Sequence, residues 1–277
     1  VLIMKLFIVV VLACLAAVQV RLPPQNVKIS YQSIVPFREA TRSSRIVNGF
    51  PASLGQFPYQ VFLIGDGSLA CGGSLISAEW VLTAAHCQVG ISQFTVRAGS
   101  IQNNSGGTVR TSNLIIIHPN YNPSNLNNDI GLIRLNEPMP LGGNIQVVAL
   151  PEANLSETFL NREATVSGFG RTSDASGAIS PNLNFVHLNI ISNIQCMGTY
   201  GSATIIDSTV CAVGRDAPNQ GTCNGDSGGP LTVTENGQSV QIGVVSFVAA
   251  AGCEVGFPSG YVRTTHFRNW IRDQSGI

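Results

Sequence analysis

Lysine is almost missing from this sequence. Of 277 residues only Lys5 and Lys28 are lysine, and none follows Ile46. Charged residues of both signs are sparse, at 11%. From Ile46 onward nine arginines stand against fourteen acids, a net charge of −5. Such a chain has no basic excess to draw it to nucleic acid or to an anionic membrane. Acids are themselves absent between Glu79 and Asp129, so that stretch offers no carboxylates for a calcium site. No Cys-x-x-Cys occurs, and His118, His187 and His266 lack ligand-spaced partners. They read as structural or surface residues, and neither a metal nor a cofactor is expected. Long apolar runs are missing with one exception. Leu6 to Val18, after Met4-Lys5, is too short to span a membrane but suits a secretory signal peptide. Residues 1–17 are assigned to it, with the cleavage point approximate.

Removing that segment takes Cys14 with it. Cys71, Cys87, Cys196, Cys211, Cys223 and Cys253 remain, an even set in an exported chain, and therefore a disulfide framework. The count alone leaves their pairing open. Residues 18–45 contain Pro23, Pro24 and Pro36, no cysteine and no periodicity of a packed element. Beyond Ile46 the pattern changes to short apolar runs separated by Gly, Asn, Pro and Ser. Tyr59 to Ile64, Trp80 to Thr83, Phe94 to Ala98, Leu114 to Ile117, Ile130 to Leu135, Thr165 to Ser167, Leu231 to Val233 and Val240 to Phe247 are examples. Many short strands with frequent turns predict an all-β barrel or sandwich. Phe267, Trp270 and Ile271 have i, i+3, i+4 spacing, which predicts a C-terminal amphipathic helix. Asn103 and Asn154 fit the glycosylation pattern.

Three segments carry chemistry: Thr83-Ala84-Ala85-His86-Cys87, Asn128-Asp129-Ile130 and Gly225-Asp226-Ser227-Gly228-Gly229-Pro230. A serine hydroxyl is a poor nucleophile at neutral pH. It needs a base to take its proton and a buried acid to orient that base. In their order and flanking residues these segments resemble the chymotrypsin-like serine peptidases, from Ile46 to the C-terminus. The pattern is most similar to arthropod chymotrypsins and brachyurin-like collagenolytic peptidases.

The resemblance implies two six-stranded antiparallel Greek-key β-barrels with a C-terminal helix. The N-terminal barrel would cover about 46–150 and the C-terminal barrel with its helix about 151–277. His86, Asp129 and Ser227 would form the catalytic triad, and the N–H groups of Gly225 and Ser227 the oxyanion hole. Residues 18–45 would be an activation propeptide, cut after Arg45 by a trypsin-like protease. The freed ammonium of Ile46 would then pair with Asp226. The family also implies the pairs Cys71–Cys87, Cys196–Cys211 and Cys223–Cys253. Its members imply protein substrates, protein inhibitors as possible partners, and a secreted monomer. Arginine keeps its charge in alkaline fluid where lysine begins to lose it. A lysine-free surface also offers fewer sites to trypsin, which suits a digestive lumen such as a gut.

Specificity rests on six residues. Trypsin-like relatives carry an aspartate six residues before the nucleophile; here that position is Gly221, followed by Thr222. The opposite wall is Ser246-Phe247-Val248, where relatives usually have Ser-Trp-Gly, and Ser259 adds a small polar group. Val248 narrows the mouth while Gly221 leaves the base roomy. The expected pocket is apolar and accepts Phe, Tyr, Leu or Met. The alternatives are elastase-like or collagenolytic specificity, a regulatory peptidase, or a non-catalytic homologue that only binds.

Overall fold

The computed structural model describes residues 26–30, 46–152 and 157–277. The signal segment, Arg45 and Asn154 lie outside the described residues. In chain order the strands are β1 (Ile29–Ser30), β2 (Phe50–Pro51), β3 (Gln60–Gly65), β4 (Leu69–Leu75), β5 (Trp80–Thr83), β6 (Phe94–Ala98), β7 (Thr108–Ser112), β8 (Leu114–Ile117) and β9 (Gly131–Arg134). They continue as β10 (Glu163–Gly168), β11 (Asn184–Ile191), β12 (Thr209–Gly214), β13 (Pro230–Glu235), β14 (Gln238–Ala249) and β15 (Ser259–Arg263). The α-helices are α1 (Asn193–Tyr200) and α2 (Thr264–Ser275).

Alternation makes these segments strands. In β11 the residues are buried and half-exposed in strict turn from Asn184 to Ile191, the two-residue period of a sheet with one face in a core. The strands from β10 to β15 pair antiparallel in the order β14-β13-β10-β11-β12-β15, and β14 also bonds β15. That last pairing closes a six-stranded barrel. In the first half the order is β7-β6-β3-β4-β5-β9-β8. Only Asn113 separates β7 from β8. This bent stretch bonds β6 with its first part and β9 with its second, and counted as one strand it makes the second set of six.

Two placements differ from the sequence reading. The first residues of the 46–150 stretch pack on the C-terminal barrel: β2 pairs with β11, and Ile46 is fully buried among Val166, Val186 and Leu188. Conversely, α2 follows the C-terminal barrel but sets Phe267 and Ile271 into the core around Val61, Leu63 and Leu82 of the other. The two ends of the domain thus tie the barrels together. Helix α1 was not foreseen, because its eight residues carry no clear apolar stripe. Its local signal is the cap: the Ser192 hydroxyl accepts the N–H of Gln195, and Gly201 ends the helix.

The cysteines pair as the resemblance implies, Cys71–Cys87, Cys196–Cys211 and Cys223–Cys253. Asn103 is buried, and its side-chain nitrogen donates to the Ser180 carbonyl at 3.0 Å. That nitrogen is the atom a glycan would need, so the folded chain does not offer it. The sequence pattern there marks a structural asparagine.

Candidate active site

The site begins with a register. β5 and β9 are neighbours, with Thr83 opposite Gly131. The chain leaves β5 through a short 3₁₀ turn, Ala85–Cys87, and enters β9 directly after Asp129-Ile130. His86 and Asp129, 43 residues apart, therefore meet: His86 Nδ1 lies 2.7 Å from Asp129 Oδ2. The backbone N–H of His86 donates to Asp129 Oδ1 at 2.8 Å. Asp129 is fully buried, and a buried carboxylate needs such donors. With Nδ1 donating to it, the imidazole keeps its lone pair on Nε2.

A third donor comes from the other barrel. Ser246 Oγ donates to Asp129 Oδ2 at 2.6 Å. Across β14 and β15, Val245 faces Tyr261 and Phe247 faces Gly260, which leaves Ser246 as the extra residue of a β-bulge. A bulge re-aims a side chain, and this one turns the hydroxyl out of the sheet onto Asp129. The sequence reading placed Ser246 in the wall of the specificity pocket. Its side chain is instead committed to Asp129, and only its backbone stays with the wall.

Ser227 arrives on the loop between Cys223 and Gly229. Its carbonyl accepts the N–H of Gly72 at 2.7 Å, and Gly228 N–H donates to the Val245 carbonyl at 2.9 Å. A Cβ on Gly228 would come within 2.2 Å of Thr83 Oγ1 and 2.5 Å of the Gly72 carbonyl. The loop is thus wedged against the first barrel, three residues from His86 in sequence. The Cys71–Cys87 disulfide anchors that same turn to β4. Gly225 has φ +99°, and a Cβ there would meet Ile179 at 2.5 Å, so only glycine fits. The N–H groups of Asp226, Gly228 and Gly229 bond within this region.

Asp226 is fully buried. Its carboxylate accepts the N–H of Gly170 at 2.7 Å and of Cys223 at 3.0 Å. Gly168 and Gly170 leave room for it, since a Cβ at either would come within 2.4 Å of its carboxyl group. Burial pushes this carboxyl up from 3.8 to about 7, against the pull of the two N–H donors. While the Arg45–Ile46 bond is intact, the Ile46 nitrogen is a peptide N–H and brings no charge to oppose that shift. A raised carboxyl pKa favours the folded state most below pH 3.8, and the advantage is lost as pH rises through about 7. In the uncut protein, replacing Asp226 by Asn should therefore remove a loss of stability over that window. The slope at stake is at most about 1.4 kcal/mol per pH unit. Urea unfolding at a series of pH values, on an uncut Ser227→Ala background, checks it; equal pH dependence with and without Asp226 would refute it.

The expected pocket residues are only partly brought together. A Cβ on Gly221 would lie 3.3 Å from Ser259 Oγ, so these two face each other. Behind them Tyr261, which the sequence reading missed, turns its phenol toward Thr222 and Ser259, and burial pushes its pKa upward. Nothing local in the sequence marks Tyr261, because its role depends on the β12–β15 register. Phe247 lies elsewhere: its ring packs edge-on to Tyr200 at 5.4 Å. It belongs to an apolar cluster with Leu126 and Ala249 along the end of β14. Val248 lines a cleft of about 180 Å³ with Cys223, Asn224 and Ala249 to Cys253. A larger cavity of about 390 Å³, lined by Glu157, Ile194 and Arg263 among others, holds none of His86, Asp129 or Ser227. The histidines outside the site pack structurally. His118 stacks edge-on to Phe267 and Trp270, His187 meets Thr165, and His266 lies beside Phe267. Among the described residues, the two groups that gather three side chains of metal-ligating type each contain a disulfide pair, whose sulfurs are already bonded.

Comparison with known proteins agrees with this arrangement. The family description "Trypsin" matches residues 46–271. Brachyurin of Leptuca pugilator is 39% identical over 235 residues, which is 84% of this chain and 99% of that protein. Collagenase of Hypoderma lineatum is 38% identical over 241 residues, 85% of this chain and 89% of its own. A solved structure of HL collagenase superposes with a TM-score of 0.77 at 38% identity, covering 84% of this chain and 99% of that one. A family match that takes in both barrels and the helix, with relatives this similar over most of the chain, means that the protein belongs to the trypsin family and is a chymotrypsin-like serine endopeptidase.

Proposed function

We propose that this is a secreted proenzyme, activated by cleavage after Arg45, that hydrolyses peptide bonds following large or medium apolar residues. Ser227 Oγ attacks the scissile carbonyl carbon while His86 Nε2 takes its proton. The carbonyl π pair moves onto oxygen, which the N–H groups of Gly225 and Ser227 receive. Donors of this kind contribute about 3 kcal/mol each in comparable sites. Asp129 holds the imidazole's orientation and stabilises the imidazolium. The tetrahedral intermediate collapses, the C–N bond breaks, and His86 returns the proton to the leaving amine. Water, deprotonated by His86, then hydrolyses the acyl-enzyme and restores Ser227.

The observation that carries this reading is the buried Asp129 carboxylate, shared by His86 and Ser246 across the barrel interface, with the Ser227 loop wedged against the same turn. Gly221 brings no carboxylate opposite Ser259, so the pocket has no anion for a substrate arginine or lysine. The chain should then be unable to cut its own Arg45–Ile46 bond efficiently and depend on a trypsin-like activator. The backbone of Ser246 to Val248 would hold the substrate as an added antiparallel strand. The disulfides fit an oxidising extracellular fluid, and the lysine-free mature chain fits a digestive one. Brachyurin and collagenase among its relatives support a second specificity, toward collagen-like substrates.

The test is hydrolysis of chromogenic peptides ending in Phe, Leu, Ala or Arg, before and after limited trypsin treatment followed by selective trypsin inhibition. Activity is expected only after treatment, on Phe and Leu and not on Arg. Dominant cleavage after Ala would assign the pocket to Val248 and an elastase-like preference. Inactivity despite a confirmed Ile46 N-terminus would overturn the peptidase reading.

A further inference from the structure

Residues 26–30 lie in the segment expected to hold no packed element, yet Asn26-Val27-Lys28-Ile29-Ser30 alternates polar and apolar and is docked as a strand, a period too short to stand out in the sequence. β1 pairs antiparallel with the end of β14, Ile29 opposite Ala249 and Ser30 opposite Val248. The Lys28 carbonyl accepts the N–H of Ala250 at 2.7 Å, and the N–H of Val27 donates to the Thr199 carbonyl at 2.8 Å. Val27 and Ile29 are half-buried while Asn26 and Lys28 are exposed, an in–out alternation along four residues. The two inward side chains pack on the cluster of Tyr200, Phe247 and Ala249. Ser30 stands at the lip of the cleft lined by Cys223, Asn224 and Val248. The chain is thus held by backbone pairing and by two apolar anchors on the wall of the groove.

We infer that this segment is an inhibitor of the enzyme's own substrate groove, docked on β14 as a substrate strand would be. The inference rests on the reading that substrate adds to the Ser246 to Val248 edge. Its direction is that of a substrate. From Ile29 to Ser30 the partners step from Ala249 to Val248, toward Ser246 and the nucleophile loop. Bonded pairs recur every second residue in an antiparallel ladder, so the pair after Lys28 and Ala250 is Ser30 and Val248. One strand edge accepts one partner, so substrate and propeptide exclude each other. Before the cut, the tether to Ile46 holds the segment near its groove at an effective concentration on the order of millimolar. After the cut no disulfide retains it, because residues 18–45 contain no cysteine. Activation then has two stages, cleavage of the Arg45–Ile46 bond and departure of the strand.

The experiment adds a synthetic peptide of residues 22–34 to trypsin-activated enzyme freed of its propeptide by gel filtration. At about 1 mM peptide the apparent KM for an extended Phe substrate should rise about tenfold or more, with kcat unchanged. Peptides with Ser30→Pro, which removes the N–H of the Val248 pair, or with Val27→Asp and Ile29→Asp together, should lose the effect. No inhibition, or a fall in kcat at constant KM, overturns the inference while leaving the peptidase reading intact. Should the activated protein turn over no peptide, the peptidase reading fails separately, and fluorescence anisotropy of the labelled peptide decides the docking. Binding that Ser30→Pro abolishes and an apolar tetrapeptide amide displaces supports the shared edge; no binding, or binding without displacement, overturns it.

Discussion

Ser227→Ala should leave a protein that folds, forms its three disulfides and is cut after Arg45, yet turns over peptides about 10⁵- to 10⁶-fold more slowly. The structure gives no reason for a large stability change. Ser227 is held through its backbone, by the bond from Gly72 to its carbonyl and by the packing of Gly228 beside it. A methyl in place of the hydroxymethyl group leaves those contacts untouched. What disappears is the hydroxyl proposed to form the acyl-enzyme. The pair His86–Asp129, with Ser246 on the same carboxylate, remains poised but has no proton to take. The residue of activity would come from the loop's N–H groups and from substrate binding. The measurement is kcat/KM on the best apolar chromogenic peptide, alongside thermal unfolding of both proteins. Equal Tm with a loss of less than about a hundredfold would mean that another group is the nucleophile.

Asp226→Asn should fold and be cut after Arg45, but fail to become active. Its carboxylate sits in a closed space made by Gly168 and Gly170 and accepts two backbone N–H groups. Burial drives it toward the neutral form, to about 7 even against those two donors. Cleavage would bring the one thing it lacks, a cation, as the new ammonium of Ile46. The amide can neither neutralise that ammonium nor accept from both N–H groups, because one of its two positions is itself a donor. Breaking one side of a buried ion pair costs about 3–5 kcal/mol, which corresponds to about a 10²- to 10⁴-fold loss of the active conformer. N-terminal sequencing should show Ile46 exposed at the same rate as in the unmodified chain while kcat/KM falls. Full activity after the cut would show that Asp226 does not receive the new N-terminus.

Much of the site could be read in the chain because its chemistry is local. Gly225 to Pro230, the turn through His86 and the Asp129 loop each combine a reactive side chain with the small neighbours that let it approach another strand. Strands such as β5, β6 and β8 were legible because a short apolar run, Trp80-Val81-Leu82 or Leu114 to Ile117, or an apolar alternation, Phe94, Val96 and Ala98, stands between turn formers. β4 was not, since Cys71-Gly72-Gly73-Ser74 dilutes the signal, and its burial is supplied by β3 and β5 on either side. The side chain of Ser246 was also misplaced, and the packing of Phe247 on Tyr200 was not foreseen. Adjacent in sequence, they look like one wall. A single bulge in the β14–β15 pairing sends the hydroxyl to Asp129 and the ring to Tyr200, and a bulge is a property of two strands together.

The sequence by itself determined the enzyme class, the all-β fold class, the set of six paired cysteines and the absence of a carboxylate at Gly221. These follow from residue chemistry and short spacings, which any fold must keep. Only the tertiary structure decided that β2 and Ile46 belong to the C-terminal barrel, and that α2 locks into the core of the other. It alone placed Tyr261 behind the pocket and laid residues 26–30 along the β14 edge. Each of these depends on which distant backbone edge lies free and in what register. That information resides in long-range pairing and packing, and no window of the chain contains it.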